Sequence, residues 1–434
     1  MSKSKVAIIG AGVAGLAAAT TLAQQQVEVH VFEASAHLGG RARGVAYKGL
    51  MLDNGQHILL GAYRETLRLL TLAGVKEADV LLRLPLALTV LNQSVVFSLK
   101  AHPHLPAPLH IVWGILAAAG LSISDKLYAI GFMAWLKVKQ FTLPQDESLQ
   151  ALLKRKQQTA TLIQYLWEPL CLAALNTPLA SASAQVFLNV LRDSFDQQKH
   201  DADLLLPKTD LSNLIAKPLT DFVQQHGGIV HTGVAVNNIQ LTEAGFTLMC
   251  GEQTLDFSHV IIACGPHQLA SLTTSLPQFS NTLNHFNYQP ITTVYLQYTA
   301  HIQLAQPMLG MVNSTSQWLF DRGQLCGQAG LIAVVISAHA PLQQTQTALA
   351  ELIIIEIAQQ FPQFGAPLWH KVITEKRATF SCEVELNRPS YLTAYDGLLL
   401  AGDYIAGDYP ATIEGAVRSG IACAEHILQR AVSH

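Results

Sequence analysis

Charge is what this sequence has least of. Lys, Arg, Asp and Glu make up 13% of its 434 residues, about half the ~25% of an ordinary soluble protein. The formal net charge is −3, with no basic run and no acidic tail, so nothing here favours a nucleic-acid partner. The six cysteines, at 171, 250, 264, 326, 382 and 423, form no Cys-x-x-Cys and no cluster with histidine. They read as reduced thiols of a cytosolic protein, and no metal site is expected. Met1 to Lys5 is too short and polar to be a signal peptide. One uncharged stretch, Ala101 to Ser124, holds three His and three Pro. Its apolar part, Leu109 to Leu121, falls short of the ~20 residues that a membrane-spanning helix needs.

Apolar residues, by contrast, reach 50%. So greasy a composition points to a large buried core, to an apolar surface that meets something greasy, or to both. The length exceeds one ordinary core and predicts two domains.

The chain is organised around its first forty residues. An apolar strand (Val6, Ala7, Ile8, Ile9) leads into Gly10-Ala11-Gly12-Val13-Ala14-Gly15 and an alanine-rich helix to about Gln26. A second strand, Val27 to Phe32, closes on Glu33. Strand, Gly-x-Gly-x-x-Gly, helix, strand and acid is the order that a dinucleotide site requires. Gly10 permits the tight turn, Gly12 lets backbone approach a pyrophosphate, and Gly15 lets helix pack on strand. The helix N-terminus offers free N–H groups to the phosphates, and Glu33 would accept from the adenosine ribose. Gly10, Gly12, Ala14, Gly15 and Glu33 are therefore candidate cofactor residues. Gly39-Gly40-Arg41 follows too soon for another βα unit. Gly39, Gly40 and Arg41 would bring backbone and guanidinium to the same diphosphate, a flavin-type extension rather than a plain NAD one.

Asp53-Asn54-Gly55-Gln56-His57 then feeds an apolar run and a helix from Arg64 to Ala73, as backbone does when it passes a ligand. His57 on its own reads as a loop histidine satisfied by a carbonyl. From Val80 to Asp203 the βα rhythm is lost. Strands at Ala87 to Val90 and Val95 to Leu99 precede helices at Leu109 to Leu121, Ser124 to Val138, Ser148 to Lys156, Thr159 to Cys171 and Ser181 to Phe195. Trp113, Phe132, Met133 and Trp135 either fill the core or line an apolar cavity. The nucleotide pattern resumes with a helix at Asp210 to Gln225, a strand at Ile229 to Ile239, a hairpin about Gly251, and a buried strand at Val260 to Cys264. A second irregular section follows. It carries strands at Ile291 to Tyr298, Gln317 to Asp321, Leu331 to Ser337 and Lys371 to Phe380 in an antiparallel sheet. Its helix, Thr345 to Gln360, is apolar on most faces and expected to be sandwiched. The fold class is α/β: a Rossmann-like domain (1–85, 204–275 and 390–434) interleaved with a substrate domain (86–203 and 276–389) of antiparallel sheet plus helices.

The last motif sits at the other end of the chain. Strand Leu398-Leu399-Leu400-Ala401 ends in Gly402-Asp403, which places a carboxylate where a ribityl hydroxyl can donate to it. Pro410-Ala411-Thr412-Ile413 opens a helix whose N–H groups and dipole face any anion formed there. Reduced flavin is such an anion. With the N-terminal fingerprint, Gly402, Asp403, Thr412 and Ile413 complete a bipartite site for noncovalent FAD.

On these residues the chain resembles the amine oxidase/phytoene desaturase flavoproteins over nearly its whole length. Leu399 to Tyr404 with Ile413 to Gly420 is most similar to the carotenoid and squalene branch. Asp53 to His57 through Gly61-Ala62-Tyr63-Arg64 resembles the bacterial hydroxysqualene dehydroxylases, and Trp167-Glu168-Pro169-Leu170, Ala174-Leu175-Asn176 and Glu375 to Phe380 add to that likeness. The resemblance implies that Val236 holds the adenine through its backbone and that Gly55 and Gln56 pass beside the isoalloxazine. It implies conversion of 12-hydroxysqualene to squalene by reduced FAD, on the route to hopanoids. Where amine oxidases usually carry an aromatic cage residue, this chain has Thr412, which speaks against an amine substrate.

Three functions stand open at this point: dehydroxylation of a polyprenyl alcohol, desaturation of a carotenoid-like polyene, and a lipid chaperone without chemistry. The intact cofactor residues disfavour the chaperone. His57 and Glu168 are the candidate catalytic acids, because the matching motifs carry them. No second Gly-x-Gly-x-x-Gly exists, so an external electron donor is expected. So is docking on the cytoplasmic face of the inner membrane through Leu105 to Leu136, with Trp113 and Trp135 as anchors. The oligomeric state is open.

Overall fold

The computed structural model describes residues 5–276, 279, 286–338 and 345–432. The reading of Met1 to Lys5 lies, apart from Lys5, outside them. Five strands form a parallel sheet in the order Ile229–Thr232, Glu28–Glu33, Lys5–Ile9, His259–Ile262, Leu398–Leu400. Alternate side chains of a strand face opposite ways, and here both faces are covered. Val6, Ile8, Val29, Val31 and Ile261 meet the helices Val13–Gln24, Lys217–Gln225 and Ile413–Val432. Ala7, Ile9, Phe32, Val260 and Ile262 meet an antiparallel meander of Asn238–Thr242, Gly245–Cys250 and Gln253–Phe257. Burial on both faces explains why Lys5–Ile9, His259–Ile262 and Leu398–Leu400 read as apolar runs rather than alternating ones. The terminal helices cross closely: a Cβ on Gly420 would fall 2.1 Å from the Ala14 carbonyl oxygen.

The second layer is a seven-stranded sheet. Its order is Trp369–Phe380, Tyr288–Gln297, Leu331–Ser337, Trp318–Asp321, Met308–Met311, Ala87–Asn92, Ser94–Lys100. It is not wholly antiparallel, because Met308–Met311 runs parallel to Ala87–Asn92, with Gly310 opposite Val90. The short Met308–Met311 strand carries no sequence signal of its own, yet it joins the two irregular sections into one sheet. Helix Gln346–Gln360 lies on this sheet by a single face, Leu349, Ala350, Ile353 and Ile357. Ile355 is exposed, so the sandwiched placement expected for this helix is not found.

Three other expectations need correction. The strand expected over Ile229 to Ile239 is two strands, because Gly233 turns the chain with φ +70°. The helix expected to reach Leu121 ends at Ala117. Two helices change pitch just before a proline: π turns at Ile163–Trp167 and Ser212–Ala216 precede Pro169 and Pro218. Proline has no N–H for the i−4 carbonyl and crowds it, and one wider turn absorbs both defects. Ser122 caps the helix Ile123–Val138 in a reciprocal box with Asp125.

Candidate active site

All five parallel strands point their C-terminal ends at one edge, where ligands of open α/β sheets bind. Gly10 and Glu33 end two of them, and Gly402 and Asp403 follow a third. Gly10, at φ +106°, donates to the Phe32 carbonyl at 2.7 Å. The Glu33 carboxylate accepts from the Ala11 and Ser35 amides, each at 2.9 Å, and so ties the glycine turn to the second strand. Gly39 donates to the Ala11 carbonyl at 2.9 Å, and a Cβ on Gly40 would lie 3.2 Å from the Gly12 Cα. The two glycine segments therefore sit against each other, as a shared diphosphate would require.

The glycines differ in why they are glycine. A Cβ at Gly15 would lie 2.0 Å from the Gly10 carbonyl oxygen, and one at Gly10 would lie 2.8 Å from that of Ala263. The protein's own packing demands both. Gly12 has an ordinary φ of −73°, and a Cβ there would meet nothing within 4 Å. Nothing in the fold requires glycine at this helix N-terminus, so the free space fits a ligand that approaches the backbone. Gly55 is similar: it is buried, yet its Cβ would meet only His57 Cε1 at 3.9 Å.

Arg41 and Asp403, from opposite ends of the chain, form an ion pair of 2.6 Å, and Arg41 also donates to the Ala378 carbonyl at 2.8 Å. Asp403 raises the Arg41 pKa and so keeps the guanidinium charged. Gly402 donates to Ser419 Oγ on the C-terminal helix at 2.8 Å. Thr412 Oγ1 accepts from the Gly415 amide at 3.1 Å and caps that helix, whose first residue is Ile413. Val236 lies in the irregular segment after the Gly233 turn, where Val234 donates to the Glu33 carbonyl at 3.0 Å.

The segment 53–57 is held by long-range contacts. Asp53 and Arg322 form a buried ion pair of 2.9 Å, and the same Arg322 Nη1 donates to Gln56 Oε1 at 2.9 Å. Asn54 donates to Glu375 at 3.0 Å. His57 Nδ1 donates to the Gly55 carbonyl at 2.6 Å. Burial, with a smaller contribution from Arg41, lowers the His57 pKa, so the ring is neutral near pH 7 with its proton committed.

Beside this segment, from Ile58 onward, opens a cleft. Its walls are almost wholly apolar, Ile58, Leu60, Leu86, Leu88, Phe187 and Trp318 among them, and Thr412 is one of the few polar residues in its lining. A second, smaller apolar cleft shares Leu86, Leu88, Leu170 and Phe195 with it and is lined also by Ile111, Ile115 and Met133.

Residues 13–428 match the family described as flavin containing amine oxidoreductase. The chain belongs to that family. FAD is its cofactor, and it is an FAD-dependent oxidoreductase. It is 30% identical to a hydroxysqualene dehydroxylase of Rhodopseudomonas palustris, over 99% of both chains. It is 28% identical to that of Zymomonas mobilis, over 96% of this chain and 97% of the relative. A 15-cis-phytoene desaturase of Glycine max is 26% identical over 98% of this chain and 79% of its own length. Among solved structures, an oxidoreductase from Methanosarcina mazei superposes with a TM-score of 0.75 at 17% identity, covering 97% of this chain and all of that one.

In this flavoprotein the two candidate acids stand apart from the cleft. His57 does not line it, although its neighbour Ile58 does, and its single bond is the carbonyl bond of a loop histidine. Glu168 is exposed and outside the wall that Leu170, Ala173 and Ala174 supply from the same helix. Two features near Asp403 are not legible in a motif. Tyr404 is buried with no partner for its hydroxyl among the described residues. Arg388 clamps the loop after Asp403 through the carbonyls of Tyr409 at 2.7 Å, Gly407 at 3.1 Å and Ile405. An arginine ten residues before a strand carries no recognisable pattern, so only the fold finds it.

Proposed function

We propose that this flavoprotein removes the hydroxyl of a long polyprenyl alcohol, converting 12-hydroxysqualene to squalene on the squalene/hopanoid route. The observation that carries this reading is the cleft: an apolar cavity that Ile58 and Leu60 wall directly after the 53–57 segment, with few polar groups in its lining. The hydroxysqualene dehydroxylases among its relatives agree with it. When bound, reduced FAD supplies the hydride that replaces the departing oxygen. The chain's own residues prepare the place. Arg322 and Glu375 fix Gln56 and Asn54, so the backbone at Gly55 keeps one shape. The Thr412 cap aims the C-terminal helix N-terminus at the same point, which favours negative charge there. Leu60, Leu88, Phe187 and Trp318 exclude water, which would otherwise recapture an allylic cation. In overall balance, alcohol, proton and hydride give hydrocarbon and water. The reductant is external, since the chain has one Gly-x-Gly-x-x-Gly. Under anaerobic conditions the protein with pre-reduced FAD should convert 12-hydroxysqualene to squalene. Flavin reduction by a saturated polyene, with desaturated product and no dehydroxylation, would overturn the reading in favour of a carotenoid-type desaturase.

The same reading places the protein on the cytoplasmic face of the inner membrane. No helix among the described residues is long and apolar enough to cross a membrane. Leu109, Trp113, Leu116, Ile123, Leu127 and Tyr128 are all exposed on two adjacent helices. The inner side of those helices carries Ile111, Ile115 and Met133 of the second cleft, so the outer patch and the cavity are two sides of one wall. Trp135 is not an anchor of this surface: it stacks on Phe132, and the Lys156 ammonium covers its ring at 3.6 Å. Ile123→Asp with Leu127→Glu should abolish co-sedimentation with liposomes and leave flavin content unchanged. Wild-type protein that stays in the supernatant would refute the docking.

A further inference from the structure

The polar residues that line the main cleft include Asp193, Ser194 and Tyr409. Asp193 and Ser194 are consecutive on the helix Ala184–Phe195, and Tyr409 comes from the loop that Arg388 clamps. The Tyr409 hydroxyl donates to Asp193 Oδ2 at 2.9 Å, while Asp193 Oδ1 accepts from Arg192 Nε at 2.7 Å. Tyr409 is pinned at two further points. The Arg418 guanidinium lies 4.6 Å over its ring, and Arg388 holds its carbonyl. Burial and the Asp193 carboxylate push the phenol pKa up, so it stays neutral. Ser194 is only 3% exposed, lines the cleft, and makes no side-chain hydrogen bond among the described residues.

We propose that Tyr409 and Ser194, with Asp193 as the residue that positions Tyr409, form the recognition point for the substrate hydroxyl. The inference rests on the dehydroxylation reading and deepens it. A phenol that has given its only proton to a carboxylate presents lone pairs alone. The group that suits it must be a donor, and a substrate O–H is one. Ser194 complements it by donating to the same oxygen. A hydrocarbon lacks that oxygen and leaves the serine buried and unpaired, which costs affinity. The corner therefore separates the alcohol from its deoxygenated product and favours release of the product.

The test is equilibrium binding to oxidised holoenzyme, followed through the fluorescence of Trp318 in the cleft wall. The probes are 12-hydroxysqualene and squalene. Wild type should bind the alcohol roughly 10- to 100-fold more tightly than the hydrocarbon. Tyr409→Phe should bring the two affinities within about threefold by weakening the alcohol alone. Asp193→Ala should narrow the ratio, and Asp193→Asn, whose amide oxygen still accepts the phenol proton, should restore it. Flavin content reports folding in each variant. An unchanged ratio in Tyr409→Phe, or no preference for the alcohol in wild type, would overturn the proposal. Preference for the alcohol without its conversion to squalene would support the corner and refute the reaction.

Discussion

Arg322→Leu should cost the folded protein about 3–5 kcal/mol, the usual consequence of removing one partner from a buried ion pair. Arg322 and Asp53 are both almost wholly buried. The guanidinium meets Asp53 Oδ2 and Gln56 Oε1 at 2.9 Å, Gln328 at 2.7 Å and the Met51 carbonyl at 3.2 Å. The second Asp53 oxygen accepts from the Leu211 amide at 2.8 Å. Leucine would leave that carboxylate in the core without its cation. Burial already pushes the Asp53 pKa up, and Arg322 is the largest opposing influence. In the variant, the folded-state pKa of Asp53 therefore lies still further above its unfolded value. Such a group destabilises most at neutral pH and least below the unfolded pKa, so the deficit should shrink as pH falls. Urea denaturation of the flavin-saturated protein at pH 7 and pH 5 measures both effects. The double variant Asp53→Leu/Arg322→Met, which removes both charges, should recover most of the loss. A single variant as stable as wild type would mean that the pair contributes nothing to the fold.

That pair also shows where sequence reasoning stops. The N-terminal glycine motif was legible because strand, turn and helix are consecutive in the chain, although the atom that demands glycine at Gly10 belongs to the distant Ala263. Asp53 and Arg322 lie 269 residues apart, and neither belongs to a pattern that marks burial. Before the fold is known, a buried arginine looks like a surface one. Glu414 illustrates the same limit from inside a motif. It sits in the Glu-Gly-Ala stretch that resembles the flavoproteins, yet its carboxylate is fully buried and caps another helix. It accepts from the Glu65 and Thr66 amides at 3.1 and 2.9 Å and from Thr66 Oγ1 at 2.7 Å. The cleft was less legible still. Its apolar walls come from distant segments, and a leucine that lines a cavity has the same sequence signature as one that fills a core. Asp193 and Tyr409, separated by 216 residues, meet only because Arg388 folds the loop after Asp403 back onto the helix.

Gly12→Ser should remove FAD and leave the protein folded, and Gly15→Ala should do harm for the opposite reason. Serine is among the favoured residues at a helix N-cap, and Gly12 occupies that position before Val13–Gln24 with extended backbone. Its added atoms meet no protein atom within 4 Å of the Cβ. Apoprotein stability should therefore stay level or rise by a few tenths of a kcal/mol. Those atoms would stand where the pyrophosphate approaches the turn. A loss of FAD affinity on the order of 100-fold is expected, about 2.8 kcal/mol at ~1.4 kcal/mol per decade. At Gly15 the helix interior would gain about 1 kcal/mol from alanine by propensity alone. The 2.0 Å approach of its Cβ to the Gly10 carbonyl oxygen overrides that gain, because the obstacle is backbone. Gly15→Ala should lower the melting temperature of the apoprotein as well as its flavin content. Thermal melts without flavin, read beside flavin fluorescence titrations, separate the two cases. Full FAD occupancy in Gly12→Ser would place the diphosphate elsewhere along the sheet edge.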